Sequence, residues 1–452
     1  MVALTERKIA IVRTLVESAP DGIVGRLQQA LAETGGDTAL AGVRRLVEIE
    51  AADRRLRNMV LQPVAPMCVG DGVSTRQLVF PARALSLLWQ GLKVLSPEGV
   101  AAAAATLPED DAPTNVIAPF DALTRLAAGA VRNSDQREFR LVAELCQRAQ
   151  PGGAAAFAAC LDLAPVVRRA IVRLPNWIAH AGEETAAAAR LAYNDAVEVA
   201  DDAGPRFFEM LAAQLSPPWL VLRIISAVMD KPTERYLAES EVGGFGERVM
   251  TEIDEALKTI STFDIDAGPE VGRAAGRTVG VLARQTTEVE ACLELSRDHG
   301  WGQRIVNQRK ALANVVEARL REAEKVAAAA LPMETIGRKT RSRLSVAPEP
   351  RAVGRGRTLL AFTQEIRSSA NYAGFSAAHS KALEKIGGML DHYVEDTLDQ
   401  VRNGGVEDME IAAAFLHIAA DFALMVRDEK AAELIRRRTA TACHCEGAAH
   451  AA

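Results

Sequence analysis

The side chains best suited to chemistry in this chain lie toward its C-terminal end. His392 and His417 are each followed four residues later by an aspartate, Asp396 and Asp421. Residues four apart share a helix face, so each pair could present an imidazole beside a carboxylate, a donor set suited to a divalent metal. Asp391, Glu395, Asp396 and Asp399 form a carboxylate set that could hold Mg²⁺. Cys443, His444, Cys445 and His450 are soft ligands suited to zinc or copper.

The spacing argues against each of these sites. His392 shares its face with Glu395, Asp396 and Asp399, and His417 shares its face with Glu410 and Asp421. Those faces are polar and point away from the apolar seam, so they read as solvated. Cys-x-Cys lacks the two-residue spacer of a zinc pair, and no second pair follows it. No histidine has a glutamate three residues before it, which a carboxylate-bridged di-iron bundle would show. His-Glu-x-x-His, Gly-x-Ser-x-Gly and the P-loop are also missing. The sequence therefore assigns no catalytic residue, no cofactor site and no metal ligand.

Residues 332–357 carry seven basic side chains: Arg338, Lys339, Arg341, Arg343, Arg351, Arg355 and Arg357. Three prolines and three glycines interrupt them, so the stretch reads as a flexible basic linker. It could touch an acidic partner or an anionic membrane surface. It lacks the interleaved aromatics of a nucleic-acid contact. Ser342 and Ser345 sit among its arginines as candidate phosphorylation sites.

The sharpest local pattern concerns packing. Gly268, Gly272, Gly276 and Gly280 recur every fourth residue, and Pro269 marks a helix start. Three glycines inside a helix cost roughly 2–3 kcal/mol, so a closely packed second backbone is expected to offset them. Arg273, Arg277 and Arg284 exclude a bilayer span here. The stripe is either an internal helix crossing or a self-association face.

Composition sets the frame for these residues. Aromatics make up only 4% of the chain, so the core must be built from Ala, Leu, Val and Ile, which favours helix. The net charge of −6 argues against bulk nucleic-acid binding. Ten lysines against 43 arginines, with abundant alanine, point to a GC-rich bacterial genome. Six scattered cysteines and no signal core or apolar span imply a reduced, soluble, cytoplasmic protein.

The expected fold is all-α: a multi-helical bundle or array with long helical arms and a C-terminal αα-hairpin. The expected segments are a multi-helical domain (1–265), long arms with the glycine stripe (266–331), the basic linker (332–357), a helical hairpin (358–440) and a disordered tail (441–452). Ser18 is expected to cap the second helix. Residues 64–80 read as either a β-hairpin or an irregular loop. The function expected is a non-enzymatic interaction or scaffold module with a protein partner, or a homo-oligomer, and no nucleic acid. The alternative is a Mg²⁺-dependent helical enzyme acting on a small or isoprenoid-like substrate.

Overall fold

A computed structural model describes residues 6–33, 40–69, 78–107, 118–180, 182–336, 339–371 and 373–449. The chain is all-α, with nineteen α-helices among the described residues and only short strands. It divides into two compact units, Met1–Lys231 and Pro232–Ala452. The division falls earlier than the expected boundary at 265, because Gly243–Thr262 packs on the helices that follow it.

The N-terminal unit opens with α1 (Glu6–Ser18), α2 (Asp21–Glu33) and α3 (Ala41–Val60). After α3, β1 (Cys68–Val69) and β2 (Phe80–Pro81) pair in parallel, so these strands are not the two arms of a hairpin; residues 70–77 lie outside the described residues. Then come α4 (Arg83–Leu95), α5 (Pro97–Ala105), α6 (Ala118–Asn133) and α7 (Arg137–Ala149). The unit closes with α8 (Gly153–Ala179), α9 (Glu183–Val197), α10 (Ala203–Gln214) and α11 (Val221–Met229).

Helix α8 is central to this unit, packing against α6, α7, α9 and α10. It is apolar on most of its circumference, as an enclosed helix must be. It carries Pro165 and Pro175 inside it. Ser18 does not cap α2. Its hydroxyl donates back to the Leu15 carbonyl and closes α1, while the Pro20 carbonyl accepts from the Ile23 and Val24 amides of α2.

The C-terminal unit begins with α12 (Glu234–Glu239), α13 (Gly243–Thr262), α14 (Pro269–Cys292) and α15 (Gly300–Ala330). Then follow the antiparallel strands β3 (Met333–Ile336) and β4 (Lys339–Ser342), and α16 (Pro350–Glu365). The last three helices are α17 (Ser376–Arg402), α18 (Met409–Val426) and α19 (Glu429–Ala449).

Residues 332–357 thus hold a strand pair and the first two turns of α16 where a flexible linker was expected. Helix α16 is buried from Thr358 to Thr363 and packs against α14, α15 and α18. Its glycines and arginines resemble a loop in sequence, but Gly356 and the three arginines have packing or pairing roles. A Cβ on Gly356 would lie 2.6 Å from the Phe422 ring. Arg351 and Arg355 each reach Asp266 at 3.1 Å, and Arg357 reaches Asp421 at 2.6 Å.

The glycine stripe of α14 faces α16. A Cβ on Gly272 would strike the Thr358 carbonyl oxygen, and one on Gly276 would lie 2.6 Å from the Glu365 Cβ. These two glycines are therefore covered inside the unit and do not form a self-association face. The bare backbone permits a helix approach that no side chain would allow.

The C-terminal hairpin has three helices. The chain after α17 does not run as one helix: it breaks at Arg427, whose backbone leaves the helical region. Asp428 then accepts from the Ala431 amide and starts α19. Helix α19 runs on to Ala449, through most of the stretch expected to be disordered.

Candidate functional site

Two regions gather polar side chains, and the expected carboxylate set comes first. Asp391 forms a double contact with Arg427, with Oδ1 at 2.7 Å from Nη1 and Oδ2 at 2.5 Å from Nη2. Glu395 is bound in the same way by Arg438, whose hydrogen bonds hold its carboxyl below the usual range. Asp399 pairs with Arg402. Asp396 accepts from the Ser342 amide at 2.6 Å and from Gln400 at 2.8 Å. Burial pushes its carboxyl up, but these donors outweigh burial and hold it below its ordinary value.

Each of the four carboxylates therefore already has a partner within the chain. Three pair with arginines, and Asp396 clasps the β3–β4 pair onto α17. Among the described residues no group of three or more His, Cys, Asp or Glu side chains is placed to hold a metal ion. His392 and His417 are both exposed. The side chains of Cys443, His444 and Cys445 lie outside the described residues, as do Arg338 and His450.

Ser342 is buried. Its hydroxyl donates to the Tyr393 carbonyl and accepts from Thr397, which closes it to phosphorylation in the folded chain, whereas Ser345 is exposed. With Arg351, Arg355 and Arg357 paired to aspartates, the basic strip presents fewer unpaired cations than its sequence suggests.

The second region is a cleft of about 820 Å³ in the N-terminal unit. It lies between the α1–α2 turn, α3 and α4. Arg54 forms its floor and is nearly fully buried. A guanidinium has five N–H donors, and all five are used. Nη2 donates to the Val16 and Glu17 carbonyls, Nη1 to the Ala19 carbonyl and Asp21, and Nε to Glu50. The side chain thus satisfies the carbonyls that α1 leaves open at its end.

The cleft wall repeats this self-pairing. Asp21 also holds Arg57, and Asp53 accepts from Trp89 Nε1 at 3.0 Å and Lys93 Nζ at 2.8 Å. Four cations (Arg54, Arg57, Arg83, Lys93) face four carboxylates (Glu17, Asp21, Glu50, Asp53), so the lining has no net formal charge. Such a surface does not favour a strongly charged ligand of either sign.

Beside the cleft, α1–α3 form a small core of Val16, Val24 and Val47. Their other faces are apolar too. Ile11 and Leu15 on α1 are 54% and 63% exposed, and Ile23 and Leu27 on α2 are each 40% exposed. Each pair is spaced four apart and so shares one face of its helix.

Sequence reasoning missed the buried charges, three of which show how they are held. Arg168 of α8 donates to Asp121 and to the Met59 and Val60 carbonyls that end α3. It also lies 5.3 Å from the Phe120 ring. Burial pulls its pKa down, and Asp121 opposes that. Glu234 accepts from the Gly302 amide at 2.8 Å and caps α15. Arg54 is the third. Apart from the Arg54–Glu50 pair on one helix, no local motif marks them, because their other partners lie 33 to 109 residues away.

No protein-family model, no curated protein and no solved structure matches this chain. Among the described residues one helix, α18, is long and apolar enough to cross a membrane by length and composition, and half of it is buried in the structure.

Proposed function

We propose that this is a non-enzymatic interaction or scaffold protein of a bacterial cytoplasm, which binds an amphipathic helix of a protein partner on the outward faces of α1 and α2. The observation that carries this reading is the pair of exposed stripes, Ile11 with Leu15 and Ile23 with Leu27. Single exposed apolar residues are ordinary, whereas neighbours on one helix face more often mark an interaction surface. Anchors at i and i+4 are the spacing with which helices seat in apolar grooves.

The test compares proteins that co-purify with the intact chain and with a Leu15→Glu/Leu27→Glu variant from the native cytoplasm. Neither leucine is buried, so the circular dichroism melt should be unchanged. A specific partner lost with the variant supports the reading. An identical set of partners on both proteins overturns it.

A further inference from the structure

We draw no further inference here: the strongest candidate, the polar cleft between the α1–α2 turn, α3 and α4, has its floor and wall held by pairs within the chain, and nothing among the described residues shows what would occupy it.

Discussion

Two fastenings, one from each unit, stand in contrast. In the N-terminal unit, long charged side chains reach inward: Arg54 and Arg168 use nearly all their donors on carbonyls and carboxylates brought from distant helices. In the C-terminal unit one helix crossing depends instead on the absence of side chains. Gly272, Gly276 and Gly356 let α14, α16 and α18 approach until backbone or ring fills the space a Cβ would take. A buried arginine tolerates spacing between helices but demands that every donor be met. A glycine crossing demands no partner chemistry but tolerates almost no added volume. The two fastenings should therefore fail under different substitutions.

The sharpest test of that contrast is Asp121→Ala. It leaves the Arg168 guanidinium buried beside two carbonyls with no counter-charge, and breaking a buried pair this way costs about 3–5 kcal/mol. Chemical denaturation should show the loss, while Arg168→Met, which removes the charge as well, should cost less. If the two variants lose equal stability, the hub is a matter of volume rather than charge.

Next in size is Gly276→Leu. Overpacking at the α14–α16 crossing should destabilise by roughly 1–3 kcal/mol and lower the melting temperature. Arg273→Ala should change it little, since Arg273 pairs only with Glu270 on its own helix. Gly129→Leu on α6 should leave stability unchanged. A Gly276→Leu protein as stable as its parent would erase the difference between the covered Gly276 and Gly129, where a Cβ would meet nothing within 4 Å.

A smaller effect separates the units by pH. His379 at the start of α17 is buried, with Nε2 2.9 Å from the Thr363 carbonyl. Burial lowers its pKa below the ordinary value; the Thr363 bond opposes this and Arg367 adds to it. A histidine with a lowered folded pKa binds fewer protons folded than unfolded, so stability rises with pH in that window. The contribution is present in full above the unfolded value near 6.5 and is lost as pH falls from there toward the folded value. His379→Gln should flatten that slope in urea melts between about pH 5 and 7. An unchanged slope would place the titration on another group.

The smallest expected effect concerns the former linker. Trypsin should cut slowly after Arg341 and Arg343, because β4 is paired to β3 and clasped to α17 by Ser342, Asp396 and Gln400. Asp396→Ala should make that cleavage faster while leaving the α14–α16 crossing intact. Rapid cutting in the parent would mean the clasp is open in solution.

The sequence by itself determined the all-α class, because low aromatic content and abundant Ala and Leu leave helices as the economical way to bury apolar surface. It also marked the close approach on α14, since three glycines in a helix need a compensating neighbour. It could not name that neighbour. Helix α16 lies more than seventy residues onward behind glycines, prolines and arginines that read as a linker. Local rules assign such residues to loops. Only the folded chain supplies Asp266, Asp421 and the Phe422 ring that make a helix the better state there. The carboxylates around His392 show the same limit from the other side. Their spacing suggested a metal site, but spacing along one helix cannot reveal the arginines that other segments bring to them. Charge pairing over thirty or more residues is a property of the packed structure, and that packing decided which polar groups were already satisfied.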